Sequence, residues 1–111
     1  MARYTYAVLS TGAAGREEEF RTWYREQHLD DVARMPGVVS ARLLFPHFQV
    51  SDGMGVPQFS ALALYELESE EPQAMINAMF AKAGTDEMPL TDAMDMTGLF
   101  QFVGQEVHSV R

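Results

Sequence analysis

From Phe20 to Met35 the chain alternates apolar and polar positions at helical spacing. At about 100° per residue, Phe20, Trp23, Tyr24, Gln27, His28, Asp31, Val32 and Met35 share one helical face. The first turns of that face are aromatic. The later turns carry Gln27, His28 and Asp31 where a plain core helix carries Leu or Val. Polar groups on a buried face cost free energy unless partnered, so these residues either have structural partners or line a pocket.

The flanking pattern supplies the other elements. Arg3 to Thr11 alternates and is rich in Tyr, Val and Thr, which predicts a first strand. After the small-residue loop Gly12 to Gly15, a helix runs from Arg16 to Met35. Glu17, Glu18 and Glu19 in its first turn complement the macrodipole, and Pro36-Gly37 ends it. Val38 to Gln49 reads as a second strand, weakened at Pro46, and Val50 to Pro57 as a turn-rich connection. Phe59 to Leu67 is a third strand. Glu70 to Ala83 is a second helix with Met75, Met79 and Phe80 inward and Ile76 and Lys82 near its margins. The polar loop Gly84 to Asp92 leads to a last strand, Met94 to Val107, with Met94, Met96, Phe100 and Phe102 on one face.

Strand, helix, strand, strand, helix, strand is the order of a ferredoxin-like α+β plait: one antiparallel sheet with two helices on one face. In the third strand Phe59, Ala61, Ala63, Tyr65 and Leu67 point one way and Leu62 and Leu64 the other. In the second, Val39, Ala41, Leu43 and Phe45 oppose Val38 and Leu44. Both sheet faces are thus apolar, and two helices cover only one, so the second face is expected to meet another subunit in a homodimer.

Composition narrows the function classes. At 111 residues the chain is expected to form one domain. A net charge of −8 argues against nucleic acid and anionic membrane surfaces as partners, and favours a neutral or weakly charged ligand. No apolar run reaches the ~18 residues of a membrane span, and the N-terminal stretch is too short and too alternating for a signal peptide, so the cytoplasm is the default location. Cysteine is absent, which removes disulfides and thiolate catalysis. Eight Met residues suit either an irregular core or an adaptable apolar pocket.

The run EEEFRTWYREQHLDDVARMPGVVSARLL resembles the helix-one and strand-two signature of the dimeric α+β barrel proteins, and within them the EthD-like branch. An aromatic pair, Trp23 and Tyr24, is followed one turn later by His28. Asp30 and Asp31 come next, then Pro36-Gly37-Val38 and the strand pair Ala41-Arg42. Asp30 stands where proline often follows the His-Leu pair. The resemblance implies two sheets packed face to face across a two-fold axis, with a cavity in each subunit between helices and sheet. Relatives include muconolactone-type isomerases, polyketide cyclases, cofactor-free quinone-forming monooxygenases and haem-degrading enzymes. Several use a histidine or tyrosine to move protons on an aromatic or lactone-like substrate.

His28 is the first candidate for chemistry, because an imidazole with an ordinary pKa near ~6.5 can give or take a proton at neutral pH. Asp31, three residues on, is placed to orient the ring, and Tyr24, one turn before, to share its hydrogen bonds or donate to a substrate oxygen. Tyr6, Trp23, Phe59, Tyr65 and Phe100 are the expected substrate-binding walls. His47, His108 and Arg42 are expected at the surface. Three distant histidines, no Cys and no His-x-x-x-His pair leave metal binding unsupported, and no glycine-rich phosphate loop is present. The expected activity is cofactor-independent proton transfer, as in an isomerase or cyclase, on a small apolar ring- or carbonyl-containing molecule. Two alternatives stay open: a non-catalytic small-molecule-binding or accessory protein, and a cofactor-free or haem-linked monooxygenase.

Overall fold

The computed structural model describes residues 1–50, 53 and 58–111. The connection expected at Val50 to Pro57 therefore lies almost wholly outside the described residues. Four strands, β1 (Ala2–Ser10), β2 (Val38–Leu44), β3 (Ala61–Ser69) and β4 (Phe100–Gly104), form one sheet in the order β2-β3-β1-β4 with every neighbouring pair antiparallel. The first helical stretch consists of α1 (Glu17–Trp23), a π-helical turn (Tyr24–His28) and α2 (Leu29–Ala33). The second is α3 (Pro72–Lys82). This is the ferredoxin-like α+β plait.

Alternation in β1 and β3 sorts the sheet into two faces. Tyr6, Val8 and Ser10 of β1 pair with Tyr65, Ala63 and Ala61 of β3, and all six are buried beneath the helices. Phe20, Tyr24 and Val32 come down from the first helical stretch, and Ile76 and Met79 from α3, to close this core. The opposite face presents Leu9, Leu62 and Leu44 in one row with Phe100, and Ala7, Leu64 and Arg42 in the next with Phe102. Leu44, Phe100 and Phe102 are 41%, 51% and 68% exposed, so this face is apolar and open.

Several expected elements shift, each for a local reason. A β-bulge between Val38 and Ser40 puts Val38 opposite Leu67, on the helix side with Ala41 and Leu43, and leaves Val39 exposed rather than inward. β2 ends at Leu44, ahead of Pro46, which cannot donate to a ladder. Beyond it the Gln49 side-chain amide imitates a rung: its Nε2 donates to the Phe59 carbonyl and its Oε1 accepts from the Phe59 N–H, both at 2.9 Å. In α3 Ile76 is buried and Phe80 is 54% exposed, the reverse of the expected assignment.

The last strand is shorter than its apolar run. Met94 makes a single bridge to Gly12, and a 3-10 turn (Met96–Gly98), capped by the Asp95 carboxylate on the Thr97 N–H, separates it from β4. That turn divides the expected single face: Met94 and Met96 face the helix-side cavity, whereas Phe100 and Phe102 stand on the open face.

At the turn into β2, glycine is required. Gly37 has φ +92°, and a Cβ there would lie 2.6 Å from Met75 Cε of α3. The turn therefore both reverses the chain and lets α3 approach. Among the described residues no helix is long and apolar enough to cross a membrane.

Candidate functional site

The π-helical turn decides where the polar residues of the first helix go. In an α-helix, positions five apart are rotated by about 140° and do not meet. Here the Leu29 N–H bonds back to the Tyr24 carbonyl, five residues earlier, and the widened turn brings residue 28 over residue 23. The His28 and Trp23 rings stack with centroids 4.4 Å apart and planes 17° from parallel, and His28 meets the edge of Tyr24 at 5.1 Å. The extra residue is absorbed on the outside, where Arg25, Glu26 and Gln27 are all exposed. Gln27, expected on the buried face, is thus turned to solvent, and Leu29 takes a place against the core instead.

His28 lines a cavity of about 150 Å3 between the helices and the sheet. Tyr6, Val8, Ser10 and Tyr65 form its floor, with Gln101 of β4. Trp23, Tyr24 and Val32 form its wall, and Met79, Met88 and Met94 fill the remaining sides. Phe80, Leu90 and Met96, all substantially exposed, rim it. The loop after α3 is tied over one end by the Trp23 indole, whose Nε1 donates to the Pro89 carbonyl at 3.2 Å.

The polar groups of this cavity are few and mostly committed. The Tyr6 hydroxyl donates to Gln101 Oε1, and the Tyr24 and Tyr65 hydroxyls share a hydrogen bond at 3.4 Å. Burial pushes Tyr6 up to about 12 and raises Tyr24 and Tyr65 as well, so all three tyrosines keep their protons at neutral pH. Burial also lowers His28 to about 4, and the nearby Asp31 carboxylate only partly opposes this. The imidazole is therefore neutral at pH 7. Its Nδ1 is buried with no hydrogen-bond partner among the described residues, and so is the Ser10 hydroxyl.

Some expected residues stand elsewhere. Asp31 is buried, but it faces a separate groove with Gln27 and Lys82, and one of its carboxylate oxygens pairs with Arg34. It makes no hydrogen bond to His28 Nδ1, so it acts on the ring through space and does not orient it. The Tyr24 hydroxyl shares its hydrogen bond with the Tyr65 hydroxyl, not with His28. Phe59 and Phe100 do not line the cavity; they meet each other edge-on at 5.6 Å, with Phe100 on the open side of the sheet. Tyr6, Trp23 and Tyr65 do line it. His47, His108 and Arg42 are exposed.

Ser10, Gln101 and Met88 were invisible to the pattern of the chain. Ser10 reads as the polar end of a strand, and Gln101 as an outward residue of an apolar run. Only the pairing of Gln101 with Val8 puts it on the helix side. Among the described residues no group of three or more His, Asp or Glu side chains could hold a metal ion.

No protein-family model and no curated protein sequence matches the chain. Solved structures do. An ethyl tert-butyl ether degradation (EthD) family protein from Bacillus halodurans is 17% identical, with 96% of this chain and 100% of that one covered at a TM-score of 0.62. An EthD-like protein from Ralstonia eutropha is 15% identical, with 99% and 96% covered at 0.65. The haem-degrader MhuD from Mycobacterium tuberculosis, solved with two haems in its active site, is 20% identical, with 97% and 99% covered at 0.62. The chain thus has the ferredoxin-like fold of the dimeric α+β barrel proteins, the EthD structures among them.

Proposed function

We propose that this chain is a cofactor-independent enzyme that moves a proton on a small ring- or carbonyl-containing molecule held in the cavity, with His28 as the group that takes and returns it. The single observation that carries the reading is an imidazole on the cavity wall that burial holds neutral, with no hydrogen bond to it from the side chains among the described residues that share the cavity. A neutral imidazole is the form that can accept a proton from carbon beside a carbonyl, and the burial that keeps it neutral also makes it a weaker base than a free histidine. The substrate left behind is an enolate, whose oxygen would be met by the one proton of the Tyr24–Tyr65 pair that their shared hydrogen bond leaves free, on hydroxyls that burial keeps protonated. Asp31, outside the cavity, favours the imidazolium while it exists. Return of the proton to a different carbon completes an isomerisation with no net redox change.

Incubation with 2-cyclohexen-1-one in D2O tests this through deuterium uptake beside the carbonyl, read by proton NMR. The wild-type chain is expected to accelerate uptake above buffer, and a folded His28→Gln variant is not. Equal uptake with both proteins overturns the role given to His28.

A second reading, a non-catalytic binding protein using the same cavity, is favoured by one observation: the carboxylate that could have oriented His28 is committed to Arg34 instead. It predicts binding with no deuterium uptake. The haem reading, suggested by MhuD, fits the residues poorly. The cavity is below the ~300–1,000 Å3 of sites for drug-sized ligands, and among the described residues its lining has no Lys or Arg to meet a propionate. On the same account the open sheet face meets its counterpart in a second copy, covering Leu44, Phe100 and Phe102.

A further inference from the structure

Ser10 is the residue that the proton-transfer account leaves over. It closes β1 on the helix-covered face of the sheet, opposite Ala61, and has no exposure at all. Its backbone is well served, since the Ser60 N–H donates to the Ser10 carbonyl at 2.8 Å. Its hydroxyl has no partner among the described residues, yet the residue lines the cavity that His28 lines. An unpartnered buried hydroxyl destabilises a fold, and alanine would fit the same place without that cost. The cavity's other polar atoms do not explain it, because the Tyr6, Tyr24 and Tyr65 hydroxyls are bonded to Gln101 or to each other.

The rest of the lining sets the chemistry of what could satisfy Ser10. Among the described residues no Lys, Arg, Asp or Glu lines the cavity, so a charged ligand would lose its hydration with no counter-ion there. The volume, about 150 Å3, matches apolar cavities that admit a single benzene ring. A serine hydroxyl both donates and accepts, so it can meet a ketone oxygen or a phenol. We infer that the cavity takes an uncharged single-ring molecule bearing one oxygen function, and that Ser10 selects for that oxygen. This rests on the cavity being the functional site, but not on any turnover there.

Titration calorimetry with toluene, phenol, benzoate and 1-naphthol tests it on the wild-type chain and on Ser10→Ala. Phenol is expected to bind the wild type about fivefold more tightly than toluene, the worth of one modest hydrogen bond. Ser10→Ala should hold toluene equally well, bind phenol no better than toluene, and unfold at the same or a higher temperature when unliganded. A merely structural Ser10 would lower that temperature. A phenol preference that survives in Ser10→Ala, or is missing from the wild type, overturns the selection by Ser10. Benzoate or 1-naphthol binding as tightly as phenol overturns the ligand class. Failure of both toluene and phenol to bind overturns the cavity itself. Absent deuterium uptake, by contrast, counts only against the proton-transfer reading.

Discussion

Trp23 and His28 stack face to face although five residues separate them in one helix, and only the π-helical turn between them allows it. The stretch behaves as an amphipathic α-helix into which one residue has been inserted on the solvent side. Its consequence for function is direct: the turn sets the imidazole against the cavity and keeps Gln27 out of it.

Deleting Glu26, an exposed member of that turn, should return the stretch to α-helix with His28 four residues from Trp23 and still on its face. The variant is expected to fold, with an unchanged or higher thermal midpoint and the His28 resonance still shifted by the Trp23 ring. Loss of that ring shift in a folded variant contradicts this geometry.

Acid should weaken the fold through His28. Its folded value, about 4, lies below the ordinary 6.5, so between these limits the unfolded chain binds more protons and stability rises with pH. The contribution is complete above pH 6.5 and is lost as pH falls towards 4. Its size is up to about 3 kcal/mol for a shift of this extent. Urea unfolding at pH 4.5 and 7, with His28→Gln as the reference, reads it: the pH dependence should be smaller in the variant by roughly that amount.

Much of the fold was legible in the chain because its signals are local. The alternation of Tyr6, Val8, Ala61, Ala63, Tyr65 and Leu67 has period two, and the acidic turn at Glu17 and the stop at Pro36-Gly37 follow from backbone chemistry. What escaped depends on single-residue register changes. The bulge at Val39 and the π turn at Tyr24–His28 each add one residue, and no periodicity announces where. The candidate site divided along the same line. His28, Trp23, Tyr24, Tyr6 and Tyr65 converge as the spacing suggested. Asp31 found Arg34, three residues on, because an ion pair is a better partner for a buried carboxylate than a neutral ring. Phe100 went to the open side through its pairing with Leu9, far away in the chain, and Phe59, which precedes β3 and is held by the Gln49 side chain, meets it edge-on.

Gly37→Ala should cost about 1–3 kcal/mol, chiefly from a positive φ that a side chain resists, since the flexible Met75 thioether can move aside. Chemical denaturation measures it. A change under about 0.5 kcal/mol would show that the turn relaxes freely.

Phe102→Glu places a charge on the open sheet face at a position 68% exposed in the single chain. If two copies meet there, sedimentation should show a dimer for the wild type and a monomer for the variant, with the fold of each subunit kept. A wild-type chain that sediments as a monomer at micromolar concentration contradicts the pairing.

The most direct measurement is the nitrogen-15 NMR titration of His28, with and without phenol, using the exposed His47 and His108 as references. The account predicts a neutral ring at pH 7, protonation with a midpoint near pH 4, and ring-nitrogen shifts that move when phenol is added. A midpoint near the ordinary ~6.5, with nitrogen shifts indifferent to phenol, would contradict it.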